Sequence, residues 1–330
     1  MKILLIKVSS LGDVIHNMPV VADIIQHFPE AQIDWVVEES YADLVASCQG
    51  VRRVIPFALR RWRKTLLRRA TQMEMRAFYQ QLKADQYDFV LETQGLFKTG
   101  LLMHWARMLP GGVKWGLGNA TEDSGYEPIS RIFHDQSLKV DVKTHAVTRS
   151  RLIAAAALGY SIERPPQFHF GQITARPAWL SDVPYVVFFH ATARLAKCWP
   201  EADWIALGQW LAKQGNTVVL PWGSVAEKMV AERLAAAISS SQVAPRMLLD
   251  EAMNLIAHAR LIVGVDTGLT HIAAALYCPT IELYCDSPRW KTEGFWSERI
   301  INLGDTGQPP ALQAVQAAAQ NWLSKEQHHE

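Results

Sequence analysis

Short apolar runs alternate with amphipathic stretches along nearly the whole chain, and they do so in two series. "KILLIKV" at 2–8, "QIDWVVEE" at 32–39, "RRVIPF" at 52–57 and "YDFVLETQ" at 87–94 have the length and the β-branched and aromatic content of strands. Helical spacing lies between and after them, over 13–28, 65–84, 97–109 and 144–160. Residues 111–143 are rich in glycine and read as irregular. The prolines of "IERPPQF" and "TARPAW" then mark a linker, after which the pattern restarts. "PYVVFFHA", "NTVVLPWG", "RLIVGVDTG" and "TIELYC" are strands of the second series, with helices over 201–215, 225–238, 249–259, 269–278 and 310–324. Continuously apolar strands that alternate with helices specify parallel sheets covered on both faces. The expected fold is α/β, two Rossmann-like doubly wound domains facing across a cleft. Their expected limits are 1–165 and 166–310, with a C-terminal helix and tail at 311–330 that can pack back on the first domain. In such sheets ligands sit beyond the carboxyl ends of the strands.

Composition sets the outer limits. With 49% hydrophobic and 20% charged residues, the 330-residue chain can bury large cores and is not of disordered type. A net charge of +1 gives no overall attraction to nucleic acid. No apolar run reaches the ~18 residues of a membrane-spanning helix, and the N-terminus reads as a strand and not as a signal peptide. Cys48, Cys198, Cys278 and Cys285 form no C-x-x-C pair, the pattern of a reducing cytoplasm. Most of the twelve tryptophans are expected in the cores, although aromatics also line sugar sites.

The strand ends carry the chemistry. The first is followed by "KVSSLGDVIHNMPV", residues 7–20, which has neither the G-x-G-x-x-G of a dinucleotide site nor a P-loop. It offers one carboxylate, Asp13, at the start of a helix, beside Gly12, where a substrate could approach the backbone. Asp13 suits a helix cap and also a general base. In the second series, "HATARLAKCWP" at 190–200 brings Thr192, Arg194 and Lys197 into one loop. "PWGSVAEK" at 221–228 brings Glu227, placed to accept hydroxyl hydrogen bonds as ribose-binding acids do. "VGVDTGLTHIAAAL" at 263–276 leads Asp266, Thr267 and Gly268 straight into a helix with His271 in its first turn. The free N–H groups at such a helix start attract anions. Each stretch alone is also compatible with a solvated lysine, a surface glutamate or a plain cap. Together they outline a nucleoside-diphosphate pocket without a Gly-rich loop. The absence of a D-x-D pair favours lysine plus helix dipole over a bridging metal. Apart from these, "RRWRKTLLRR" at 60–69 collects six of the 33 basic residues around one tryptophan. This is a solvated face, or a patch for an anionic substrate, an acidic membrane surface or nucleic acid.

"KVSSLGDVIHNMP", "HATARLAKCWP", "LPWGS..E" and "GVDTGLTHIAAAL", in this order and spacing, resemble the lipopolysaccharide heptosyltransferases of glycosyltransferase family 9 along essentially the whole chain. "DWVVEE" and "RRVIPFALRRWRK" resemble the branch that adds the first heptose. The resemblance implies a GT-B fold and an inverting transfer of L-glycero-D-manno-heptose from ADP-heptose to Kdo2-lipid A, with no metal and no cofactor. It implies a peripheral place on the cytoplasmic face of the inner membrane of a Gram-negative cell, against the inner leaflet, and no nucleic-acid partner. Asp13 would be the general base and Lys197 would aid departure of ADP. Thr192, Ala193, Lys197, Glu227, Met247, Asp266, Thr267, Gly268, Leu269 and His271 would hold the donor. Ser10, Gly12, Arg60, Arg61, Arg63 and Lys64 would face the acidic acceptor. Two departures stand out. Ala193, Leu195 and Ala196 replace a hydroxyl residue and acids of the family's lysine loop, and "YCDSPR" replaces its "YGPTDP"-like stretch. A heptose-acceptor enzyme of the same family and a nucleotide-sugar 2-epimerase of the same fold are the alternatives.

Overall fold

The computed structural model describes residues 1–173, 175–180 and 182–326, with side chains to residue 324. It divides into two compact units, Met1–Gly171 and Gln172–Glu330. The first runs past the boundary expected at 165 because its last residues return to its own surface. Gln49 N–H donates to His169 O at 2.8 Å and Gly171 N–H to Ser47 O at 2.7 Å.

In the first unit β1 (Lys2–Ile6), β2 (Gln32–Glu38), β3 (Val51–Phe57), β4 (Gln86–Glu92), β5 (Arg107–Leu117) and β6 (Gln136–Leu138) form one parallel sheet in the order β3-β2-β1-β4-β5-β6. The connecting helices are α1 (Leu11–His27), α2 (Ala42–Ala46), α3 (Leu59–Trp62), α4 (Arg69–Leu82), α5 (Phe97–Trp105) and α6 (Ala146–Leu158). β1 is central because Ile3, Leu4, Leu5 and Ile6 are apolar on both faces and wholly buried. Ile6 pairs with Val36 and with Glu92, so β1 and β4 end level while β2 runs two residues further, and the loop after β1 opens where the strand order reverses.

The second unit repeats the plan with β7 (Tyr185–Phe189), β8 (Thr217–Leu220), β9 (Ser241–Val243), β10 (Leu261–Val265), β11 (Thr280–Tyr284) and β12 (Ile300–Gly304), ordered β12-β11-β10-β7-β8-β9. Its helices are α7 (Glu201–Lys213), α8 (Val225–Ala237), α9 (Leu249–Ala257), α10 (Gly268–Ala275) and α11 (Leu312–Glu326). Val315, Ala318, Ala319 and Leu323 of α11 join the core formed by Ile281, Leu283, Trp204 and Leu207. The helix at 310–324 is thus an integral part of the second unit, in place of the separate element expected from 311 onward.

Four strands escaped the sequence pattern. β6 and β9 span three residues each, too short for any periodicity. β12 is half-exposed along most of its length, and β5 occupies what reads as a helix end and a Gly-rich loop. Pro110 cannot extend α5, and the chain pairs with the open edge of β4. Gly112 is required there, since a Cβ would lie 2.7 Å from Tyr87 O where the register shifts. The helix expected over 65–84 is shorter, running from Arg69 to Leu82, and a separate short helix, α3, precedes it. Trp62, at the end of α3, stacks against Phe57 and Phe78 and donates to Glu74 at 2.9 Å, so the chain turns before α4.

One buried ion pair fixes α6 against α1. Arg151 Nε and Nη2 donate to Asp23 Oδ2 and Oδ1 at 2.7 and 2.9 Å, with both side chains a tenth exposed or less. Removing one member of such a pair strands the other charge. Asp23→Ala should lower the unfolding free energy by about 3–5 kcal/mol in urea titration. A loss below ~1 kcal/mol would mean that α6 is held without this pair.

Candidate functional site

The loop after β1 forms a charged nest at the carboxyl end of the first sheet. Ser10 starts α1, and its N–H and Oγ both donate to Asp13 Oδ2 at 2.9 Å. This is a capping box, so the capping role read from the sequence is real. It uses one carboxylate oxygen. The other, Oδ1, lies 3.7 Å from Lys7 Nζ, and the Asp13 side chain is 39% exposed. Gly12 lies half-buried in the same turn. Lys7 is itself buried, and its ammonium donates to Thr93 O at 3.0 Å. Burial pushes Lys7 down to about 8, against the pull of Asp13 and Glu92. Burial would raise Asp13, but the Lys7 charge, the Ser10 bonds and the Arg149 charge outweigh it and hold the carboxyl below its ordinary value.

Arg149 gave no signal in the sequence, where it is one arginine in an apolar helix. α6 brings it in because His145 meets His16 of α1 edge to face at 6.1 Å, one turn from both Asp13 and Arg149. Arg149 is buried, its Nη1 donates to Thr121 Oγ1 at 2.5 Å, and its Nε has no hydrogen-bond partner among the described residues. Glu92 closes the nest, accepting from Gln94 N–H and Gly95 N–H at 2.8 Å. Lys98 was also missed. Its Nζ lies 3.5 Å from Ser9 Oγ, and burial with the nearby charge of Arg60 lowers its pKa.

The basic stretch divides in two. Arg60, Arg63 and Lys64 are exposed and make no ion pair among the described residues. Arg61, half exposed, pairs with Glu39 through two bonds of 2.9 Å and with Glu74 at 2.7 Å. An acceptor would have to compete with these two acids for its forked donors.

In the second unit β7, β10 and β11 end level, with Gly264 paired to both Phe189 and Glu282. Gly264 is obligatory, since a Cβ there would fall 2.2 Å from Thr270 Oγ1 of α10. This close approach seats the start of α10 on the strand ends. Asp266 gathers the surrounding groups. Lys197 Nζ and Ser287 Oγ donate to its Oδ2, the latter at 2.6 Å, and His271 Nε2 lies 3.0 Å from its Oδ1. Thr192 Oγ1 donates to Asp266 O at 3.3 Å. His271 Nδ1 lies 3.2 Å from Glu282 Oε1, and Glu282 Oε2 accepts from Tyr284 Oη and Gly294 N–H. Burial would lower His271, but its bonds to Asp266 and Glu282 raise it to about 10, so the ring is an imidazolium at neutral pH. Burial likewise opposes ionisation of Asp266, yet His271 and Lys197 hold it far below the carboxylate range. Ser287 belongs to the departing stretch "YCDSPR" and supplies a hydroxyl at this node.

Thr267, Gly268 and Leu269 are half-buried at the start of α10, where the first N–H groups have no intrahelical acceptor. Glu227 closes a capping box on α8, its Oε2 accepting from Gly223 N–H at 2.7 Å and Ser224 N–H at 3.3 Å. The S-x-x-E spacing announces that box, and it went unread. Met247 lies half-buried in the loop after β9 and Ala193 is exposed beside Thr192. The first nest can take a proton beside cations. The second offers an ammonium, helix N–H groups and a carboxylate to an anionic, hydroxylated ligand.

Comparison with known proteins identifies the relatives. The profile of glycosyltransferase family 9 (heptosyltransferase) matches residues 75–322. The chain is 41% identical to lipopolysaccharide heptosyltransferase 1 of Pseudomonas aeruginosa over 288 residues, 86% of this chain and 78% of that one. It is 39% identical to the Escherichia coli K12 enzyme of the same name over 306 residues, 91% and 93% of the two chains. The solved E. coli heptosyltransferase WaaC with ADP superposes with a TM-score of 0.85 at 34% identity, covering 98% of this chain and all of that one.

His271 is raised, so the stability it contributes is complete below its ordinary value of 6.5 and is lost as pH rises through about 10. Wild-type unfolding free energy should therefore fall by at least ~1 kcal/mol between pH 6.5 and 10 through this group. In His271→Gln that decline should be smaller. Parallel pH dependences in the two proteins would show that His271 is neutral.

Proposed function

The chain belongs to glycosyltransferase family 9, and on that premise we propose that it carries out an inverting transfer of L-glycero-D-manno-heptose from ADP-heptose to Kdo2-lipid A. It is a glycosyltransferase with the GT-B fold, a lipopolysaccharide heptosyltransferase that uses a nucleotide-sugar donor. The proposed acceptor, stereochemistry and location at the cytoplasmic face of the inner membrane go further. The observation that carries the mechanism is Asp13, with one oxygen committed to the helix cap and the other beside Lys7, ionised and open to solvent.

A sugar hydroxyl titrates far above neutrality and needs a base as it attacks. Asp13 takes that proton while the hydroxyl oxygen bonds to the anomeric carbon and the bond from that carbon to the β-phosphate oxygen breaks. A single displacement inverts the centre and needs no second carboxylate as nucleophile. Negative charge grows on departing ADP. Lys197 and the N–H groups of Thr267, Gly268 and Leu269 are suited to stabilise it. Oε1 of Glu227, which accepts no hydrogen bond among the described residues, suits a ribose hydroxyl, and Thr192, Met247 and Ala193 would border the same ligand. Arg60, Arg63 and Lys64, with Lys98, suit the carboxylates and phosphates of an acidic acceptor, which favours Kdo over a neutral heptose.

Incubation with ADP-heptose tests the reading. ADP release that requires Kdo2-lipid A supports it, whereas release without acceptor means hydrolysis and conversion without release means epimerisation. Asp13→Asn keeps the cap and removes the base. It should lower kcat at least ~10²-fold with an unchanged donor Kd, measured at a temperature where the variant is folded. Turnover within a few-fold of wild type would reduce Asp13 to a cap. Lys197→Ala should lower kcat, since the charge it meets peaks in the transition state, while Glu227→Ala should mainly weaken ADP binding. An unchanged ADP Kd would remove Glu227 from the site.

A further inference from the structure

The turn between α3 and α4 sets exposed leucines among exposed cations. Residues 66–70 are all exposed, and two of them are leucines at the tip, Leu66 at 48% and Leu67 at 94% exposure. Met73, on α4, is 61% exposed. Around them stand Arg60, Arg63, Lys64, Arg68, Arg69 and Arg76, all exposed and none in an ion pair among the described residues. The one acid between 60 and 76 is Glu74, which is spent on Arg61 and Trp62.

The tip is built, not loose. Trp62 is anchored between Phe57 and Phe78, with ring centroids 5.6 Å from each. Thr65 Oγ1 and Thr71 Oγ1 are 2.8 Å apart across the turn, and Arg68 N–H donates to Thr65 O at 3.0 Å. The leucines are thus held out into water on a braced support, ringed by cations that make no ion pair among the described residues.

We propose that this turn docks the protein on an anionic phospholipid bilayer, with Leu66 and Leu67 entering the interface and Arg68, Arg69 and Arg76 meeting the headgroups. Two apolar side chains at a cationic tip are the chemistry of an interfacial anchor, in which apolar insertion and surface charge act together. Single-stranded nucleic acid would want exposed aromatic faces to stack on, and the aromatic residue of this turn, Trp62, is buried. The membrane is where a lipid acceptor would lie, so the proposal extends the reading above. Vesicle binding is measured without sugar donor or acceptor, so it stands or falls separately from that reading.

The full chain is floated with vesicles of phosphatidylcholine containing phosphatidylglycerol, and with phosphatidylcholine alone. Wild type should partition to the anionic vesicles, less so as salt rises. Leu66→Asp with Leu67→Asp should lower that partitioning at least about tenfold. Met229→Asp, an apolar side chain of the second unit that is 57% exposed, should leave it unchanged. The leucine variant should retain turnover on a deacylated, water-soluble acceptor. Wild type that fails to float with anionic vesicles, or a leucine variant that floats like wild type, would overturn the proposal. Lost turnover on the soluble acceptor would do so too, by assigning the turn to the sugar site.

Discussion

Asp13 lies beside two buried cations, Lys7 and Arg149, and the chemistry of the first unit depends on that arrangement. Placing two positive groups under a sheet edge is costly, because burial disfavours each charge. The cost is visible in both, since burial drives Lys7 down to about 8 and lowers Arg149 as well. They are offset by Asp13 and Glu92, so the nest approaches neutrality only while both carboxylates are ionised. A carboxylate so held remains charged at neutral pH and available to accept a proton. The fold supplies each member from a different element: Lys7 and Asp13 follow β1, Glu92 ends β4, and Arg149 rides on α6, which the Asp23–Arg151 pair fixes to α1.

The second unit meets the same problem in the opposite sense. Its strand ends collect Lys197, Asp266, His271 and Glu282, two charges of each sign, in a chain of direct contacts. The imidazolium of His271 touches both carboxylates and offsets one of their two charges. If Lys197 turned to another anion, Asp266 would still keep His271 and Ser287 as partners. The diphosphate of the proposed donor would be such an anion. In the proposed reaction one unit keeps a base ionised, and the other keeps a cation available.

The alternation of apolar runs was enough to read two doubly wound sheets, and the strand-end rule pointed to Asp13, Lys197, Asp266 and His271, which lie beyond strand ends in the structure. What escaped the sequence has physical causes. β5 was hidden because the glycines that admit it to the edge of β4 look like loop glycines. The helix over 65–84 was overdrawn because nothing local shows that Trp62 will be buried. Arg149 and Lys98 lie far from Asp13 in the chain and carry no motif, so only the packing of α6 and α5 brings them near. Arg61 is indistinguishable from Arg60 and Arg63 until Glu39 and Glu74 are seen to pair with it. Ser10 with Asp13, and Ser224 with Glu227, obey the capping-box spacing. The same spacing that marks a structural cap therefore also marks two residues proposed for the reaction.

The ionisation of Asp13 is the most direct point of test. The acid limb of the kcat/KM profile should be measured for wild type, Arg149→Gln and Arg149→Lys, with Lys7, Ser10 and Glu92 left in place. With both cations present, the limb should lie below the ordinary carboxylate range. Loss of the Arg149 charge should move it up, and Arg149→Lys should restore much of the difference. An acid limb at the same pH in all three proteins would contradict the account, because Asp13 would then owe its charge to neither Arg149 nor the nest that α6 completes.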